Sequence, residues 1–177
     1  MNAVFLDYDG VVNTPLWGKD GICKYGFPED NKVNNFQCVQ WVSEFCEKYD
    51  YSIVVTSTWR AYKNYIDCLV NGGLRSGIKV LGKTPMLHGK TRGEEIKQYL
   101  SEHTEIDNFL IFDDDSDMDG LDDHLVLCSC FTGFGYAEFE EAGRLHEAFK
   151  KINRKREEHG RPEDFRENNR TKGARPD

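Results

Sequence analysis

A single α/β domain, built on a mainly parallel sheet covered by helices on both faces, is what the sequence predicts. Two observations carry that expectation. Residues 3–7, 51–56 and 108–112 are short, nearly continuous apolar runs, the form of strands buried on both faces. Between them lie stretches with apolar residues at helical spacing, and strands alternating with helices at such distances form parallel sheets. The length of 177 residues fits one domain with a sizeable core.

Taken in order, the first run ends in Asp7, and Gly10 and polar residues stop it. Residues 13–32 show no clean period and are rich in Gly, Pro, Asp and Asn, which predicts a long loop or small flap carrying Trp17, Tyr25 and Phe27. Val33, Phe36, Val39, Val42, Phe45, Cys46 and Tyr49 make a helical stripe. Tyr51–Thr56 is the second strand, and Trp59 to Val70 is expected as one helix stopped by Asn71-Gly72-Gly73. Lys79–Gly82 makes a short third strand. Thr91-Arg92-Gly93-Glu94 is a capping box, which fixes a helix start at Thr91. Asn108–Phe112 is the fourth strand and Leu125–Cys130 the fifth, followed by a helix from Glu138 past Arg154. The domain is expected to span residues 1–156, with a charged, flexible tail over 157–177.

The net charge of −8 is uneven: residues 150–177 hold ten Lys/Arg against six Asp/Glu, leaving −12 on residues 1–149. An acidic body does not attract polyanions at long range, which argues against simple coating of nucleic acid but leaves room for a local basic site. Six cysteines without a CxxC pair read as reduced core thiols. No stretch approaches the roughly 18 apolar residues of a membrane span, and the N-terminus has no secretory pattern, so a soluble, cytoplasmic protein is expected.

Ligands of open parallel sheets bind beyond the carboxyl ends of the strands. The first strand ends in Asp7-Tyr8-Asp9-Gly10, and side chains two apart on an extended chain face the same way. The fourth ends in Asp113-Asp114-Asp115. If these strands are neighbours, at least three carboxylates converge, and such charge in one small volume calls for a cation; an all-oxygen cluster suits Mg²⁺. The second strand supplies hydroxyls at Thr56, Ser57 and Thr58. Arg92, with Lys90 just before it, lies at a helix N-terminus, where an anion is favoured. Metal, anion-binding edge and carboxylate together are what phosphoryl transfer requires.

These residues resemble the four motifs of the haloacid dehalogenase (HAD) superfamily, in order and at the expected strand ends. Phe5-Leu6-Asp7-Tyr8-Asp9-Gly10 is similar to its hhDxDG motif, and Val54-Val55-Thr56-Ser57 to its second. Arg92-Gly93 resembles the third, whose cation is usually Lys, and Leu110-Ile111-Phe112-Asp113-Asp114 the fourth. Asp9-Gly10-Val11-Val12-Asn13, Thr56-Ser57-Thr58-Trp59-Arg60, Arg92-Gly93-Glu94-Glu95-Ile96 and Asp113-Asp114-Asp115-Ser116-Asp117 bring it closer to a subgroup associated with RNA repair.

The resemblance implies a three-layer Rossmann-like sandwich with a minimal cap, and a Mg²⁺-dependent phosphatase working through an aspartyl-phosphate. Asp7 would be the nucleophile and Asp9 the general acid and base. Asp7, the backbone carbonyl of Asp9, and Asp113 or Asp114 would hold the metal. Thr56 and Arg92 would fix the transferring phosphoryl oxygens, with Ser57 and Lys90 as alternatives, and Gly10 and Arg60 lining the substrate site.

The absence of a large cap implies a bulky substrate, and the subgroup likeness a nucleotide or a nucleic-acid end. A small-metabolite phosphatase and a non-catalytic module of the same fold are the alternatives. Asp115-x-Asp117-x-Asp119-Gly120 also opens like a calcium loop, but its twelfth position is Val126 instead of Glu. Trp59 and Arg60 are read either as packing and capping the start of a helix or, for Arg60, as touching the substrate one turn from the second-motif hydroxyl.

Overall fold

The computed structural model describes residues 1–17, 23–24 and 32–158. Five strands form one parallel sheet: β1 (Asn2–Leu6), β4 (Tyr51–Val55), β5 (Val80–Lys83), β6 (Asn108–Asp113) and β7 (Leu125–Leu127), in the order β5-β4-β1-β6-β7. A short antiparallel pair, β2 (Leu16–Trp17) and β3 (Cys23–Lys24), lies in the expected flap. Tyr25 and Phe27 of that flap fall outside the described residues.

Alternation along each strand divides the core in two. Val4, Leu6, Ile53, Val55, Leu110 and Phe112 pack with helices α1 (Phe36–Tyr49), α2 (Tyr65–Asn71) and α4 (Tyr136–Glu158). Ala3, Phe5, Val54 and Ile111 face the other way, against Ile96 and Tyr99 of α3 (Arg92–Glu102) and Met118. Both faces of the sheet are therefore covered, which is why its strands read as continuous apolar runs and not as alternating ones. The architecture is the three-layer α/β sandwich that the strand spacing predicts.

Local signals account for the starts of α1 and α3. Asn35 caps α1 by accepting the Cys38 amide at 3.2 Å. The capping box at α3 is complete: Glu94 N donates to Thr91 Oγ1 at 3.2 Å and Thr91 N to Glu94 Oε2 at 3.0 Å. Helix α4 begins two residues before the expected Glu138. Its last two residues, Glu157 and Glu158, were expected in the tail; the remainder of that tail is outside the described residues.

Two expectations need correction. The segment expected as one helix from Trp59 is a 3₁₀ turn (Thr58–Ala61), an extended Tyr62, and then α2. The Arg60 carbonyl, which a continuous helix would give to an amide one turn on, accepts Lys83 Nζ at 2.7 Å instead. Strand β7 stops at Leu127, short of Cys130, because its partner β6 ends at Asp113. The last contact of that ladder is Cys128 N to Asp113 O at 2.8 Å, and a turn bridged between Ser129 and Gly133 follows.

The order places β1 beside β6, with the chain leaving to opposite sides after each. That is a topological switch point, and a crevice opens at the carboxyl ends of these two central strands. Asp7 follows β1 directly, and Asp113 is the last residue of β6.

Candidate active site

Strand register brings the acidic residues together. Leu6 pairs with Phe112, and Asp7 N donates to Phe112 O at 3.0 Å, so Asp7 and Asp113 leave the sheet side by side. One carboxylate oxygen each from Asp7, Asp113 and Asp114 lies within 4.8 Å of the others. The first two are buried and Asp114 is partly so.

Gly10 makes room for Asp114. Its φ is +77°, and a Cβ there would overlap the Asp114 carboxyl group. The motif glycine is thus both a left-handed turn residue and the wall against which the third carboxylate rests.

Burial pushes the Asp7 carboxyl above its usual range, with Arg92 acting against that and the Asp9 charge adding to it. Burial and the Asp7 charge raise Asp113 to about 7, and the same two causes raise Asp114. Among the described residues, the counter-charge in contact is Arg92. Its Nη1 lies 2.6 Å from Asp7 Oδ1, 3.0 Å from Asp113 Oδ2 and 3.4 Å from Thr56 Oγ1. A cation in the first turn opposes the helix macrodipole. Burial also disfavours its charge, but Asp7 and Asp113 outweigh that and its pKa rises.

Arg92 reaches this position because α3 starts hard against the loop after β6. Gly93 N donates to Asp117 O at 3.3 Å, and a Cβ on Gly93 would strike the Met118 carbonyl. The Arg-Gly pair therefore combines a cation with the close approach that aims it.

The second-motif residues lie on the other side of Asp7. Thr56 and Ser57 are buried, and the Ser57 hydroxyl helps Arg92 to offset the effect of burial on the Asp7 pKa. Asp9 is held from two sides: Trp59 Nε1 donates to Oδ2 at 2.9 Å, and Asn13 Nδ2 donates to Oδ1.

Two residues assigned to the substrate site from sequence stand elsewhere. Arg60 is only 3 % exposed, and its guanidinium donates to Thr56 O, Pro85 O and Glu95. It supports the second-motif loop from beneath, with both Nη atoms committed to these partners. Lys90 is half exposed and pairs with Glu94 at 2.6 Å, while Arg92 is the cation that contacts Asp7. The calcium-loop alternative also fails on geometry. Asp115 accepts the Ser116 amide, Asp117 the Arg92 amide, and Asp119 the Lys97 ammonium, each looking a different way.

Reading the sequence missed Glu95, and it treated Trp59 and Asn13 without a role at Asp9. One signal for Trp59 was present, since a buried indole N–H requires an acceptor and Asp9 belongs to the neighbouring motif. Glu95 stands in the Arg92–Ile96 motif, but its side-chain partners, the Arg60 guanidinium and the Leu87 amide, are set by tertiary packing.

Mg²⁺ fits this donor set. Three carboxylates converge, burial and the Asp7 charge hold the pKa values of Asp113 and Asp114 up, and buried Asp113 Oδ2 lacks a well-aligned hydrogen bond. Hard oxygen ligands with room for water and substrate oxygens are what Mg²⁺ takes.

Neither the curated proteins nor the solved structures compared with the chain include a match. A family model described as "HAD domain in Swiss Army Knife RNA repair proteins" matches residues 3–139, a span that holds every residue of the site described above. The chain therefore belongs to the HAD domain family of Swiss Army Knife RNA repair proteins.

Proposed function

We propose that the protein is a phosphomonoester hydrolase that works through an aspartyl-phosphate on Asp7 and acts on a nucleotide or polynucleotide-end phosphate. The family points to hydrolysis of the phosphatase type. The observation that carries the finer reading is the meeting of Asp7, Asp113 and Asp114 under Arg92 and Thr56. Mg²⁺ held by Asp7, Asp113 and Asp114, together with the Asp9 backbone carbonyl, would supply charge neutralisation at the phosphoryl oxygens.

The chain's own residues supply the rest. Arg92 neutralises Asp7 and Asp113 before substrate arrives, and turning part of its fork to a phosphoryl group exchanges one anion for another at little electrostatic cost. Thr56 and Ser57 offer hydroxyls from the end of β4. Asp7 Oδ attacks phosphorus as the ester P–O bond breaks, and Asp9 gives its proton to the departing oxygen. Asp9, now a carboxylate, takes a proton from the water that cleaves the acyl phosphate, which releases phosphate and restores Asp7.

The test is phosphate release, with and without Mg²⁺, by wild type and Asp7→Asn. The panel holds a nitrophenyl phosphate, nucleoside 3′- and 5′-monophosphates, sugar phosphates, and oligonucleotides phosphorylated at either end. Mg²⁺-dependent release abolished in Asp7→Asn, and fastest on a nucleotide or oligonucleotide end, is the expected result. Fastest release from sugar phosphates would reassign the substrate to small metabolites. An unchanged rate in Asp7→Asn would sink the mechanism.

A further inference from the structure

We propose that Trp59 and Asn13 are positioning residues for Asp9, holding its carboxyl group at the angle from which it protonates the leaving oxygen. The inference rests on the reading of Asp9 as general acid and adds the device that aims it.

Asp9 sits on a tight turn in which Tyr8 O accepts the amides of Val11, Val12 and Asn13 at 3.1, 2.9 and 2.7 Å. The turn brings Asn13 back over Asp9, where its side-chain amide donates to Oδ1. Asn13 is itself fixed, because its Oδ1 accepts the Asn34 amide at 3.1 Å and its carbonyl accepts the Gly10 amide at 3.0 Å. The second donor comes from the other side of the site. Trp59 is buried, and its ring stands edge-on to Tyr8 with centroids 5.6 Å apart. Tyr8 is locked in turn by its hydroxyl donating to Tyr65 O at 2.8 Å. The indole N–H therefore has one direction available, and at its end lies Asp9 Oδ2 at 2.9 Å.

One N–H on each oxygen fixes the carboxyl plane and leaves one lone pair per oxygen for the catalytic proton. As that proton passes to the ester oxygen and the P–O bond opens, Asp9 becomes a carboxylate. Both N–H bonds then become charge-assisted and strengthen, so they favour the transition state over the ground state.

The experiment compares wild type, Trp59→Phe, Asn13→Ala and Asp9→Asn on nitrophenyl, phenyl and simple alkyl phosphates at saturating Mg²⁺. Protonation matters most where the leaving group is poor. Phe keeps the ring against Tyr8 and removes only the donor. In Trp59→Phe, kcat on the alkyl ester is expected to fall about tenfold or more, part of the roughly 10²–10⁴-fold that a general acid supplies. The loss on the nitrophenyl ester is much smaller, KM is little changed, and Asp9→Asn shows the same pattern more strongly.

Asn13→Ala repeats the signature in a second background, so a poorly folding Trp59→Phe leaves the question answerable. Equal losses across the three esters in both variants would overturn the proposal and make these residues packing alone. A leaving-group dependence confined to Asp9→Asn would overturn it while leaving Asp9 as the acid. No turnover of any ester by wild type would overturn the function reading and this inference together.

Discussion

At the residue scale, Gly10 and Asp113 show how far the site departs from what stability alone would select. Alanine at Gly10 must adopt a left-handed φ at a cost of roughly 1–2 kcal/mol, and its methyl group must displace the Asp114 carboxyl. Gly10→Ala is therefore expected to lower the unfolding free energy, read from urea titration, by at least about that amount and to weaken Mg²⁺ binding in a calorimetric titration. Unaltered Mg²⁺ affinity would show that Asp114 is not a ligand. Asp113 behaves in the opposite sense. Its folded pKa of about 7 lies above the ordinary 3.8, so between these values the native state binds more protons than the unfolded chain. Stability of the metal-free protein then falls as pH rises through that window. Asp113→Asn removes the penalty, so it is expected to stabilise the metal-free protein at pH 8 and to do little at pH 4, read from denaturant midpoints. Equal effects at both pH values would mean that Asp113 is ionised throughout in the fold.

At the scale of elements, the strands were legible because a buried parallel strand is continuous in apolar residues, and the site because its side chains leave the ends of those strands. Asp7, Thr56 and Asp113 could be placed that way, and the capping box at Thr91 placed Arg92. The break between the 3₁₀ turn and α2 could not be seen, since it follows from Lys83 reaching the Arg60 carbonyl from a different strand. The role of Arg60 was hidden for the same reason. Its guanidinium joins the end of β4, through Thr56 O, to the loop after β5, through Pro85 O, and to Glu95 of α3. Glu95 Oε1 in turn accepts the Leu87 amide at 2.8 Å. Breaking a buried pair of this kind by removing one partner costs about 3–5 kcal/mol, because the other charge is left buried and uncompensated. Arg60→Met and Glu95→Gln are each expected to show a loss of that order in chemical denaturation, and the double variant to lose less than the sum. Strict additivity would mean that the two groups do not share an interaction.

At the scale of the whole molecule, the acidic cluster sits where β1 and β6 meet, and both of these strands have a neighbour on each side and core on both faces. Edge strands and surface loops can open while the rest of a domain stays folded, but central strands separate only when the sheet itself comes apart. A cation that binds Asp7, Asp113 and Asp114 therefore binds the global native state and no partly opened form that has lost β1 or β6. Its free energy adds to the full unfolding transition, by about 2.7 kcal/mol at a concentration one hundred times Kd. Mg²⁺ is accordingly expected to raise the melting temperature as a single cooperative shift and to slow hydrogen exchange at the most protected amides of β1 and β6 by the factor that shift implies. Asp113→Asn should abolish both effects together. A melting shift without slower exchange in those two strands would place the cation elsewhere on the acidic body, where a charge of −12 over residues 1–149 attracts cations without any built site.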